Sequence, residues 1–91
     1  MGNNTYFQKI GGTLRRSDII NRKPLVEILG DYRVLIENYL QVLKYEPQRI
    51  EVSVSFGKLC IDGTGMVLLQ MSCEQLVISG KIDSVSLFRG E

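Results

Sequence analysis

From residue 25 onward the chain runs in short stretches of alternating apolar and polar positions, cut by turn-forming residues. The clearest stretch is 50–56. Ile50, Val52, Val54 and Phe56 share one parity, and Glu51, Ser53 and Ser55 share the other. A period of two puts successive side chains on opposite faces of an extended strand, here one dry and one wet. Gly57-Lys58 breaks the pattern, and Leu59, Cys60 and Ile61 resume it up to Asp62-Gly63. That reads as two strands joined by a glycine-containing turn. The same device predicts strands over 25–29, 32–37 and 40–45, with turns at Gly30-Asp31, Asn38-Tyr39 and Glu46-Pro47-Gln48. Three more follow over 66–71, 75–79 and 82–88, with breaks at Gly63-Thr64-Gly65, Ser72-Cys73-Glu74 and Gly80-Lys81. Eight short strands with links of two or three residues leave no room for crossover helices. The expected fold is all-β: a single small domain over 24–88, built as a sandwich or roll or as a compact solenoid-like stack.

Two stretches depart from simple alternation. Residues 66–71, Met-Val-Leu-Leu-Gln-Met, are almost continuously apolar and carry no charge. Such a strand is expected to be buried on both faces or covered by a second surface. If it lies at a sheet edge it is a natural site of self-association, which makes Met66 and Leu68 candidate contact residues. Residues 1–23 are the least patterned. Tyr6, Phe7, Ile10 and Leu14 have helix-like spacing, but Gly11-Gly12 interrupts them at a cost of roughly 1–2 kcal/mol against two alanines. This part is expected to be either a solvated, poorly ordered tail or an arm that orders only on contact with a membrane or partner. Pro24 closes it.

Charge sharpens that division. The chain as a whole is +1, but residues 1–24 sum to +4 and residues 25–91 to −3. A basic arm on a mildly acidic body suits an acidic partner or an anionic lipid surface, with Arg15, Arg16, Arg22 and Lys23 as candidate contacts. With 91 residues, 44% of them apolar, the chain is long enough for one core. No stretch of 18 or more apolar residues suggests a membrane span, and no compact apolar run after the early charges suggests a signal peptide. A cytoplasmic protein is expected.

Candidate chemistry is sparse. There is no histidine and there are two cysteines, Cys60 and Cys73, too few ligands for a zinc site. Both are expected as small buried hydrophobes, unpaired in a reducing compartment. Without histidine the strand serines have no evident base, and Gly63-Thr64-Gly65 lacks the phosphate-loop pattern. The aromatic residues do not interleave with a basic stripe, so nucleic-acid binding is not expected of the β body. The remaining polar candidates for a catalytic cluster are Glu37, Asn38, Asp62 and Asp83, and only a fold that gathered them would make an enzyme. The expectation is a protein without catalysis, cofactor, metal or small-molecule substrate. A regulatory or nucleic-acid-binding β module that uses the basic arm is the alternative.

Several pieces, taken in order, resemble the YabP/YqfC family of small sporulation proteins. They are PLVEILG (24–30), VLIEN (34–38), VLKY (42–45), RIEV (49–52) with GKLCIDG (57–63), and LVISGKI (76–82) followed by Val85 and Leu87. The resemblance spans 24–88, about 65 of the 91 residues. One departure falls after Glu37-Asn38, where the family shows His, a basic residue and Gly, and this chain has Tyr39, Leu40 and Gln41. If that loop is a contact surface, Glu37, Asn38 and Tyr39 belong to it. The resemblance implies a noncatalytic scaffold or assembly protein of endospore formation, made in the mother cell and acting at the forespore envelope. It further implies self-association and a membrane-protein partner of the same pathway.

Overall fold

The computed structural model describes residues 22–90. It contains β1 (Leu25–Leu29), β2 (Arg33–Glu37), β3 (Gln41–Glu46), β4 (Arg49–Val54), β5 (Gly57–Met71) and β6 (Gln75–Arg89). All six belong to one antiparallel sheet in the order β1-β2-β6-β5-β4-β3. The all-β class is as expected, and the strand number is corrected from eight to six. The expected turns at Gly63-Thr64-Gly65 and Gly80-Lys81 are instead bends inside two strands of 15 residues each. The hairpin between β4 and β5 turns at Ser55-Phe56, and Gly57 is already the first residue of β5.

Both long strands change partners at their bends. β5 pairs with β4 only over its first six residues, from Gly57↔Val54 to Asp62↔Arg49. β6 pairs with β2 only from Gln75↔Glu37 to Ser79↔Arg33. Between the two long strands the register slips three times, at Asp62/Gly63, at Thr64/Val67 and at Leu68/Gln70. Such bulges bend a sheet and sharpen its twist. Glycine makes the central bend sterically feasible. A Cβ on Gly80, whose φ is +148°, would sit 2.7 Å from Met66 Cα, and one on Gly63 would sit 2.1 Å from the Lys81 carbonyl oxygen.

The bend folds the sheet over a single core. Val34, Ile36, Leu76 and Ile78 come from one arm of the sheet and Ile50, Val52, Leu59 and Ile61 from the other, all fully buried in one cluster. Val54, Tyr39, Met66 and Ile82 complete it. The alternation over 50–54 therefore reads as expected, with Ile50, Val52 and Val54 inside and Glu51 and Ser53 half-buried on the other face. Each short hairpin braces one bend. The Tyr32 and Asp31 carbonyls accept from Gly80 N (3.2 Å) and Ile82 N (2.7 Å), and the Gln48 and Pro47 carbonyls accept from Gly63 N (3.2 Å) and Met66 N (2.9 Å). Hairpin β1–β2 thus stands to β6 as hairpin β3–β4 stands to β5. Arg33 matches Arg49, Val34 matches Ile50 and Ile36 matches Val52.

Two further expectations are revised, for residues 66–71 and for Cys73. Residues 66–71 are not buried on both faces: Met66 is in the core, Leu68 is half-buried, and Val67, Leu69 and Met71 are exposed, because this end of β5 has β6 on one side only. Cys60 is buried as expected, and its register places it on the outer face between Glu51 and Ser86. Cys73 is exposed in the β5–β6 turn, and both thiols are free.

Candidate interaction site

The β2–β3 connection and the β5–β6 turn meet at one end of the sheet. Asn38 takes a positive φ of 64°, a conformation asparagine tolerates better than most residues. Its backbone N donates to the Glu74 carbonyl (3.0 Å), and its Nδ2 donates to the Lys23 carbonyl (3.1 Å). That second bond ties the entry of the chain to the far end of β2. Tyr39 follows as a core residue whose hydroxyl donates to the Ser72 carbonyl. The turn closes on itself through Ser72 N to Gln75 O (2.9 Å) and Gln75 N to Ser72 Oγ (3.1 Å). A polar hollow of about 280 Å³ remains, lined by Arg22, Glu37, Asn38, Ser72, Glu74 and Gln75.

This end gathers five of the candidates. Arg22, Glu37 and Asn38 line the hollow, Lys23 supplies a carbonyl, and Tyr39 is buried in the core rather than offering a contact. Met66 lies in the core and Leu68 is half-buried, its N–H donated to the Tyr45 hydroxyl (3.1 Å). Arg15 and Arg16 lie outside the described residues. The polar set considered for catalysis is not gathered. Glu37 and Asn38 stand at the Gln75 end of β6, whereas Asp62 is ion-paired on the opposite arm, and Asp83 sits in the bulge opposite the Asp62/Gly63 step. No group of three or more acidic or cysteine side chains converges among the described residues.

The outer face of the β4–β5–β6 arm carries a closed charge network beside an apolar cleft of about 260 Å³ lined by Leu43, Lys58 and Phe88. Arg49 donates from Nε to Glu51 Oε2 and from Nη1 to Asp62 Oδ1, both at 2.9 Å, and Lys58 Nζ lies 3.1 Å from Glu51 Oε1. Arg49 is raised above its ordinary value, chiefly by the bond to Glu51 and then by the Asp62 charge. Glu51 is held below the usual carboxylate range, chiefly by Arg49 and then by Lys58. Closed charge networks of this kind leave little unsatisfied potential for a partner.

The two edge strands are different. β1 exposes Leu25 (49%), Ile28 (53%) and Leu29 (44%), and β3 with its leading residue exposes Leu40, Leu43 and Tyr45 to a similar degree. Beside β1 an apolar cleft of about 380 Å³ opens, lined by Pro24, Val26, Ile28, Phe56, Val85 and Leu87. These residues sit on inward parity but lack a strand between β1 and the end of β6 to cover them. The edge anticipated at 66–71 is also present, with β6 on one side only and Val67, Leu69 and Met71 exposed; β1 was not anticipated as an edge, although it has one charge, Glu27, and no proline within it. That sparse guarding was the signal available.

A family model described as the YabP family matches residues 21–91. The chain belongs to the YabP family. No curated protein and no solved structure matched. Membership of the YabP family fits a protein of sporulation, in line with the resemblance in the strand pattern. Among the described residues no helix is long and apolar enough to cross a membrane.

Proposed function

We propose that this YabP-family protein is a noncatalytic scaffold or assembly factor of endospore formation. It acts in the mother cell, on the cytoplasmic side of the forespore outer membrane, by binding further copies of itself and a membrane protein of the same pathway. The observation that carries this reading is the family match across 21–91. The surface supports it. Among the described residues twelve large apolar side chains are more than two-fifths exposed, five of them on β1 and β3, and clustered apolar exposure is a mark of interaction surfaces. The +4 charge of residues 1–24 suits an anionic leaflet.

A fluorescent fusion followed through sporulation in the native host tests the reading. A ring at the forespore boundary is the expected result, and the membrane protein recovered with it identifies the partner. Diffuse mother-cell signal would overturn the envelope role, and absence of expression during sporulation would overturn the reading as a whole.

A further inference from the structure

We propose that copies of this chain join head to tail, with the β3 edge of one copy pairing antiparallel to the β1 edge of the next. The proposal rests on the self-association in the reading above and names its surface. The alternation of strand directions across β1-β2-β6-β5-β4-β3 is even, so adding β3 of a second copy beside β1 continues the antiparallel pattern without a reversal. Both edges carry the unpaired backbone groups of a terminal strand, and such groups template pairing unless they are guarded.

Charge selects which edges meet. Pairing places Glu27 opposite Leu35 in the first hairpin and Lys44 opposite Glu51 in the second. Leu35 and Glu51 are matching positions of the two hairpins, so Glu27 and Lys44 match as well, once the bulge between Val42 and Lys44 is skipped. Both point to the outer face, and their charges are opposite. A centred β1–β1 joint would set Glu27 against Glu27 of the second copy, and a centred β3–β3 joint would set Lys44 against Lys44. The β3–β1 joint sets Glu27 against Lys44, Val26 against Tyr45 and Leu25 against Glu46. Directly opposed like charges destabilise a strand pair and unlike charges stabilise it. Lys44 has only a long contact to Glu46 (3.9 Å), and Glu27 has no ion-pair partner among the described residues. On the inner side, Tyr45 of the incoming strand would lie beside Val26, at the cleft lined by Ile28, Val85 and Leu87.

This is a heterologous contact, which generates a ring if it closes and a filament if it does not. A joint between strands of five and six residues is smaller than the roughly 1,200–2,000 Å² of a stable complex, so assembly is concentration-dependent.

Sedimentation velocity of the full chain over a concentration series tests it, with Glu27→Lys, Lys44→Glu and their equimolar mixture. Both side chains are exposed, and circular dichroism checks that each variant is folded. The wild type is expected to grow beyond a dimer and each variant alone to stay a monomer. The mixture is expected to recover the wild-type distribution, because every joint between unlike variants again pairs a Lys with a Glu. A Lys44→Glu protein that assembles like the wild type overturns the proposal, and points to a β1–β1 dimer if Glu27→Lys alone alters assembly. A mixture that stays monomeric also overturns it. So does a monomeric wild type, the result expected if residues 1–21 of the same chain cover β1. None of these results bears on the forespore ring, so the joint and the envelope role fail separately.

Discussion

Glu51 shows how much a single side chain contributes to this surface. Its carboxylate accepts from Arg49 Nε at 2.9 Å and lies 3.1 Å from Lys58 Nζ. The first contact is the larger cause of its lowered pKa. A carboxyl whose folded pKa lies below its unfolded value, about 4.3 for glutamate, adds stability at pH above that value. The contribution disappears as the pH falls through the folded value. Arg49 is shifted upward and stays charged throughout, so the titration belongs to Glu51. Glu51→Gln is therefore expected to lower the urea midpoint at pH 7, with a deficit that shrinks toward zero as the pH falls below about 4. A deficit of equal size at pH 7 and at low pH would show that the carboxylate acts by packing and not by charge. Arg33, which matches Arg49 on the other arm, has no such acid among the described residues. Its guanidinium lies 5.7 Å from the Tyr32 ring centroid, and its Nε has no hydrogen-bond partner.

At the scale of elements, the two 15-residue strands depend on glycines that do different work. Gly80 combines a φ of +148° with backbone contacts that a Cβ would violate, whereas Gly65 has a φ of +61° and nothing within 4 Å of a Cβ. Gly65→Ala meets only the left-handed backbone penalty, roughly 1 kcal/mol. Gly80→Ala must in addition push β5 away from β6, and is expected to cost about 2–3 kcal/mol. Urea unfolding of the two variants checks the order, and equal losses would mean that the strands part easily at the bend. The same glycines explain what could be read along the chain. Gly30-Asp31 and Pro47 carry local turn chemistry, so the two short hairpins were legible. Gly63-Thr64-Gly65 and Gly80-Lys81 carry the same chemistry, but there the chain is bridged by Gln48, Pro47, Tyr32 and Asp31 carbonyls that are distant in sequence. Local pattern cannot distinguish a turn from a bend braced by another hairpin. The candidate site divides in the same way. Asn38 at a break was legible as a turn residue, but its bond to the Lys23 carbonyl spans fifteen positions, and the gathering of Arg22 with Glu74 and Gln75 depends on that closure. The burial of Tyr39 follows from the bend and was not legible before it, whereas that of Met66 was expected from the apolar run and the exposure of Val67, Leu69 and Met71 was not.

For the molecule as a whole, the division of charge sets how it meets a surface. Residues 25–91 are acidic on balance, at −3, and the sequence before Leu25 carries +4. A body with that balance is repelled by an anionic leaflet unless the basic residues approach it first. Each Lys or Arg near such a surface contributes about 1 kcal/mol, so Arg15, Arg16, Arg22 and Lys23 together give about 4 kcal/mol, roughly a thousandfold in partitioning. Co-sedimentation with vesicles containing anionic lipid should therefore be strong at low salt and should fall steeply by 0.5 M salt, where the screening length drops to about 4 Å. Changing all four residues to Glu should abolish it. Neutral vesicles should not retain the protein, because the exposed apolar side chains of β1 and β3 sit on strand edges and not on one broad face that could lie in a bilayer. Binding that survives the fourfold change, or that is equal on neutral and anionic vesicles, would remove the arm from the membrane contact.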